Sequence, residues 1–125
     1  LPECTVLLQA TSPIRNTEDI NSSIDDVMSK KFKSSLAGTA THRFIWGKDN
    51  NSSWISPYGS KRPRRQEFSQ VTETGSFYTF STIDFLKKGD RIINPTNIVM
   101  TSQSTSYEID TLSDWKILEA LMETI

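Results

Sequence analysis

Cysteine is nearly absent. The 125 residues hold one, Cys4, so no internal disulfide can form, and a lone thiol fits a reducing, cytoplasmic compartment. Histidine is as scarce. His42 has no second histidine and no nearby cysteine with which to complete a zinc site or a catalytic triad, so it reads as structural. Charge of one sign is also missing. Lysine and arginine total 14 against 15 acidic residues, a net charge of −1, and a general nucleic-acid binder usually carries a basic excess. No run of about 18 apolar residues marks a membrane span, and no repeat or low-complexity tract is visible. What remains is a chain that is 35% hydrophobic and 23% charged, globular rather than disordered and long enough for one domain with a core. It opens on Leu1-Pro2-Glu3, neither an initiator methionine nor a signal peptide, and enters an apparent core strand within a few residues. The expectation is a chain joined in mid-fold.

Thr5 to Gln9 (TVLLQ) is a continuous apolar run of strand length, the kind that suits burial on both faces of a sheet. Pro13 breaks regularity, and Asn16 or Thr17 can cap a helix whose Ile20, Ile24, Val27 and Met28 share one face. That helix should end near Lys30 and Lys31, which suit its negative pole. Strand, polar loop and helix make half of a βαβ unit, so the fold class is α/β. From about residue 34 to 66 the helical period disappears. HRFIW and SSWIS flank a Gly-Lys-Asp-Asn-Asn turn and read as a hairpin. Its aromatic residues need something to pack against, because a lone hairpin is marginal in water. Gly75 to Phe80 is a further strand, Thr82 to Lys88 a short helix capped by Ser81 or Thr82 and stopped by Gly89, and Asn97 to Thr101 another strand. The last helix opens with Thr111 and Asp114 in a capping-box arrangement and carries a stripe of Trp115, Leu118, Leu121 or Met122, and Ile125. The division is therefore 1–33 for strand, loop and helix, 34–66 for the hairpin arm, and 67–125 for the rest of the α/β core.

Three clusters have chemical potential. In SYEIDT, an extended backbone would turn Glu108 and Asp110 to one face and Ile109 to the core. Two carboxylates at ~4–5 Å repel by about 4 kcal/mol at an effective dielectric near 20. A hard cation such as Mg²⁺ reverses that sign, binding one or two carboxylates together with phosphate oxygens. Spacing alone favours the plainer account, in which Glu108 is exposed and Asp110 helps to cap the last helix. Lys61 to Gln66 (KRPRRQ) offers Arg64 or Arg65 to an anionic substrate through the planar guanidinium fork, although charge runs are usually solvated. Finally, Gln9 to Ser12 lies at the carboxyl end of a strand, where α/β sheets bind ligands. Its amide and hydroxyls suit sugar hydroxyls or phosphate oxygens, and equally suit a turn.

Taken in order, LLQATSPIR, RPRRQE, ETGSFY and YEIDTLSDW resemble the second half of the acylneuraminate cytidylyltransferases, which include the CMP-sialic acid synthetases and the legionaminic and pseudaminic acid enzymes. The usual patterns are Leu-Leu-Gln-Pro-Thr-Ser-Pro-Leu-Arg, Arg-Arg-Gln-Asp, Glu-Asn-Gly-x-x-Tyr and Asp/Glu-Ile-Asp-Thr-x-x-Asp-Trp. HRFIW looks like the start of the family's dimerisation arm. The resemblance implies the C-terminal half of a Rossmann-like nucleotidyltransferase sheet with a protruding hairpin arm, and a homodimer formed through that arm. It implies an enzyme that joins an acidic nine-carbon sugar to CTP, releasing pyrophosphate. The sugar's anomeric hydroxyl attacks the α-phosphate, so no protein nucleophile is needed. Gln9, with Thr11 and Ser12, would handle the sugar. Arg64, Arg65 and Gln66 would meet its acidic end, with Arg65 the key group, and Tyr78 would line the pocket. Glu108 and Asp110 would hold Mg²⁺, making Asp110 catalytic as well. No nucleic acid or membrane partner is implied.

Four departures stand out. Ala10 replaces proline, Thr74 replaces asparagine, and the stretch from Arg65 to Gly75 is about one residue short. The family's Gly-, Ser-, Lys- and Arg-rich nucleotide loop is nowhere in these residues; its expected place is about a hundred residues before Leu1. The chain is therefore expected to be a fragment or a truncated product, inactive alone. Two alternatives are a non-catalytic relic that persists as a dimeric interaction module and an anion or RNA binder using Lys61 to Arg65.

Overall fold

The computed structural model describes residues 1–67 and 70–125, which fall into two units. One comprises Leu1–Thr39 with Thr72–Ile125, the other Ala40–Val71. The stretch from Arg65 to Gly75, about one residue short in motif spacing, includes residues 68 and 69, which lie outside the described residues.

The first unit is mixed α/β. Its strands are β1 (Cys4–Leu7), β2 (Ser34–Thr41), β5 (Gln70–Ser81) and β6 (Thr96–Met100), in the spatial order β1-β5-β2-β6. β1 runs antiparallel to β5, pairing Cys4 with Ser81 and Leu7 with Tyr78, while β2 and β6 are parallel from Ser34–Thr96 to Gly38–Met100. The sheet is therefore mixed rather than purely parallel. Three helices are described: α1 (Thr17–Met28), α2 (Thr82–Lys88) and α3 (Leu112–Met122).

Local chemistry explains the helix ends. The Asn16 side chain accepts from the Glu18 N–H at 2.8 Å, and Glu18 and Asp19 occupy the first turn of α1, where its dipole favours acids. The helix stops two residues before the lysines expected at its end. Lys30 adopts a left-handed φ of 67° and its N–H bonds the Val27 carbonyl at 3.1 Å, closing the last turn. Ser81 caps α2, and Gly89 ends it at φ 70°. Thr111 and Asp114 form the full capping box of α3: Asp114 N–H to Thr111 Oγ1 at 3.2 Å, and Thr111 N–H to Asp114 Oδ2 at 2.9 Å.

The core is unusually rich in hydroxyls, and those hydroxyls tie elements together. Phe77, Tyr78, Phe80, Leu36 and Ile93 are buried, but so are Ser12, Ser23, Ser34, Ser35, Ser76 and Thr79. Ser23 of α1 meets Thr79 of β5 at 2.6 Å, and Ser34 both donates to the Ile93 carbonyl and accepts its N–H at 2.9 Å. Asp26 of α1 accepts from Ser35 of β2 and Asn97 of β6, each at 2.8 Å, pinning the helix across the sheet. Buried polar groups survive only when paired like this.

Three expectations require correction. The Thr5–Gln9 run is not buried on both faces: the strand ends at Leu7, and Leu7 and Leu8 are 37% and 46% exposed. Among the described residues β1 has one neighbour, β5. Ser34–Thr41, read as the start of the arm, is an interior strand of the sheet. Its small residues, SSLAGTAT, carry no apolar alternation to reveal it. The α3 stripe buries only Leu118; Trp115, Met122 and Ile125 are exposed.

The second unit holds the expected hairpin in short form. β3 (Gly47–Lys48) pairs antiparallel with β4 (Trp54–Ile55). The Asp49 carboxylate organises the turn, accepting the N–H groups of Asn51 at 2.9 Å and Ser53 at 3.0 Å. Lys48 lies 4.8 Å over the Trp54 ring, Phe44 meets Tyr58 edge-on at 5.5 Å, and Arg62 stacks 4.8 Å over Phe44. Ile45, Trp46, Trp54 and Ile55 remain exposed.

Candidate functional site

Side chains almost a hundred residues apart meet at one glycine. Gly75, in β5, has φ 75°, a conformation that glycine adopts without strain. A Cβ placed there would come 2.5 Å from Gln9 Oε1, 2.9 Å from Glu108 Oε1 and 3.0 Å from Ser12 Oγ. The bare backbone is what leaves room for this oxygen cluster.

Several bonds assemble it. The loop after β1 turns through a Ser12 N–H to Gln9 carbonyl bond of 3.1 Å. Arg15 clamps the loop onto β5, its Nε donating to the Ser76 carbonyl at 2.9 Å and its Nη2 to the Gln9 carbonyl. Ser12, wholly buried, donates to the Thr74 carbonyl at 3.3 Å and reaches Glu108 Oε1 at 3.5 Å. Ile109 N–H donates to the Thr11 carbonyl at 2.8 Å and staples the acidic segment to the same loop. Ile109 is half-buried while Glu108 and Asp110 are exposed, the alternation of an extended segment. Asp110 contributes its backbone N–H to the Asp114 carboxylate at 3.0 Å, so Asp114 rather than the Asp110 side chain caps α3. These bonds, from the Asp110 N–H first and then from Thr111, hold the Asp114 carboxyl below its ordinary range.

The donor set suits a hard cation. Gln9, Ser12 and Glu108 turn oxygens toward Gly75, and Asp110 adds a second carboxylate to the same segment, the donor type that Mg²⁺ prefers. Among the described residues no group of three or more His, Cys, Asp and Glu side chains forms a protein-only metal cage. Mg²⁺ commonly completes its shell with water and substrate phosphate instead.

Tyr78 is buried on β5 opposite Leu7. Its hydroxyl donates to Glu73 Oε2 at 2.9 Å, and the Arg91 guanidinium lies 4.4 Å over its ring. Burial foremost, then the Glu73 carboxylate, raise the phenol above its ordinary value, with Arg91 opposing them. Tyr78 is thus a fixed hydrogen-bond donor at neutral pH. Burial, then the Glu3 charge, pushes the Cys4 thiol up as well.

Arg64, Arg65 and Gln66 belong to the second unit and are exposed, Arg64 just before and the other two within a single-turn 3₁₀ segment, Arg65–Glu67. The Arg64 N–H donates to Glu67 Oε2 at 3.4 Å, and the Glu67 N–H donates to the Arg64 carbonyl at 2.9 Å. Arg65 lines a recess of about 350 Å³ with His42, Phe44 and Pro63.

Sequence reading left Arg15, Glu73 and Arg91 without roles. Arg15 closes the SPIR motif and Glu73 opens ETG, so position within a motif was a usable signal for both. Nothing local marks Arg91, whose neighbours arrive from β5.

No protein-family model matches the chain. Among curated proteins it is 29% identical over 126 residues to N-acylneuraminate cytidylyltransferase B of Danio rerio, which covers 94% of this chain and 30% of that protein. Among solved structures it resembles 4-diphosphocytidyl-2C-methyl-D-erythritol synthase from Anaerococcus prevotii, with a TM-score of 0.63 over 97% of this chain and 59% of that one. At 13% identity, that likeness speaks to the fold alone. The chain therefore spans less than a third of the curated relative and somewhat over half of the structural one. Four ordered motifs and sequence similarity along nearly the whole chain make it similar to the acylneuraminate cytidylyltransferases, and its fold is nucleotidyltransferase-like.

Proposed function

We propose that the chain is the sugar-binding and dimerisation half of a cytidylyltransferase that joins an acidic nine-carbon sugar of the sialic, legionaminic or pseudaminic type to CTP, giving the CMP-sugar and pyrophosphate. The observation that carries this reading is the convergence of Gln9, Ser12 and Glu108 on Gly75, since these residues come from three of the four ordered motifs.

In this reaction the anomeric oxygen bonds to the α-phosphorus, the bond to the departing pyrophosphate breaks, and the hydroxyl proton is lost. No covalent enzyme intermediate is required, so the protein's contribution is positioning and electrostatics. The Gln9 amide holds sugar hydroxyls, and Thr11 and Ser12 shape the loop that presents it. Tyr78 lines the sugar pocket, and Arg65, with Arg64 and Gln66 beside it, meets the acidic end. Glu108 and Asp110 hold Mg²⁺, which supplies neutralisation of phosphate charge when bound. The exposed tryptophans of the hairpin form the contact between two copies.

Calorimetry with the sugar acids tests the assignment. Micromolar-to-millimolar binding is expected, weakened about tenfold by Gln9→Ala through loss of one or two hydrogen bonds. The 125 residues hold no Gly- and Lys-rich loop for the triphosphate, so no pyrophosphate release is expected from this chain with CTP, Mg²⁺ and sugar. Robust turnover would sink the assignment to the sugar half. The exposed Trp46, Trp54 and Ile55 also favour a second reading, a non-catalytic dimeric interaction module. A dimer with no heat from any sugar acid, and no effect of Arg65→Ala, would establish that alternative.

A further inference from the structure

We infer that Arg91 is a specificity-determining residue that takes the carboxylate of the sugar acid; this rests on the sugar-binding reading above. Arg91 lines an open groove of about 690 Å³, within the range of small-molecule sites, along with Val6, Leu7, Phe80, Phe85 and Ile92. Its guanidinium lies 4.4 Å over the Tyr78 ring, and that ring is itself held by burial and by the 2.9 Å bond from its hydroxyl to Glu73. Arg91 also bears on the Tyr78 hydroxyl, and the other N–H donors of its planar fork suit two-point binding of a planar anion. The nearby acids do not quench it. Glu73 is engaged by Tyr78, and Asp90, which lines the same groove, accepts the Ile92 N–H at 3.1 Å. An arginine at one side of a groove with apolar walls fits a ligand that carries an acidic group and, across its ring, a methyl-bearing one, as an acylamino sugar acid does. A bare sugar alcohol would forgo both contacts.

The test compares sialic acid with its methyl ester by calorimetry on the full chain and on Arg91→Ala, Arg91→Lys and Arg65→Ala, with thermal melts to verify folding. Wild type should prefer the acid. Arg91→Ala should cut acid affinity about ten- to hundredfold and leave ester affinity nearly unchanged, as expected for a charge-assisted hydrogen bond. Arg91→Lys should recover only part, because an ammonium lacks the planar fork. If Arg91→Ala weakens acid and ester equally, or leaves the acid preference intact while Arg65→Ala removes it, the role assigned to Arg91 is wrong and the sugar-binding reading stands. If wild type binds neither ligand, both fail.

Discussion

At Gly75, one missing side chain governs both backbone and site. Any other residue at φ 75° is strained by about 1–2 kcal/mol. The added methyl of Gly75→Ala would also press on Gln9 Oε1 and Glu108 Oε1, the free ends of flexible side chains, and on the buried Ser12 Oγ. The flexible pair swings aside cheaply, so the larger loss should be functional. Gly75→Ala is expected to lose about 1–2 kcal/mol of stability by urea titration, and calorimetric sugar binding should fall more steeply than Gln9→Ala alone produces. Tyr78 supplies a milder comparison. Tyr78→Phe keeps the ring beneath Arg91 and deletes the bond to Glu73, which should cost about 1 kcal/mol in the same titration. Gln9, Ser12 and Glu108 were visible as candidates because their residue types suit ligand contact. Their convergence was not visible, since it depends on Arg15 and Ile109 bonding to groups far along the chain.

The elements show where local rules suffice. Capping is decided within four residues, so Asn16, Ser81, Gly89, Thr111 and Asp114 could all be read from sequence. Thr111→Ala should cost about 1 kcal/mol in urea titration. The lowered Asp114 carboxyl carries a pH signature. Because its folded value lies below its ordinary value of 3.8, its contribution is present above that pH and drains away as pH falls through the folded value. Asp114→Asn should therefore flatten the acid limb of a pH–stability profile. Lys30 departs from pattern: a lysine occupies the left-handed position that glycine favours. Lys30→Gly should accordingly raise stability by about 0.5–1 kcal/mol. β2 escaped local reading because small residues such as Ser34, Ser35 and Ala37 fit a fully buried strand yet give no hydrophobic signal.

For the whole molecule, the exposed Trp46 and Trp54 predict association. Sedimentation of the wild-type chain should show a dimer, and the double change Trp46→Ser, Trp54→Ser should shift it to monomer with the core unit's thermal unfolding little altered, since both residues lie outside that unit. Motif order and local chemistry by themselves determined the family resemblance, the α/β class, the helix caps and the hairpin turn, because such features depend on a few adjacent residues or on residue type. Only the tertiary structure decided that among the described residues β1 pairs with β5 alone, that α3 buries Leu118 alone, and that Arg91 stacks on Tyr78. Burial and stacking depend on which neighbour arrives from elsewhere in the chain, and a run such as Thr5 to Gln9 reads the same whether one strand or two lie beside it.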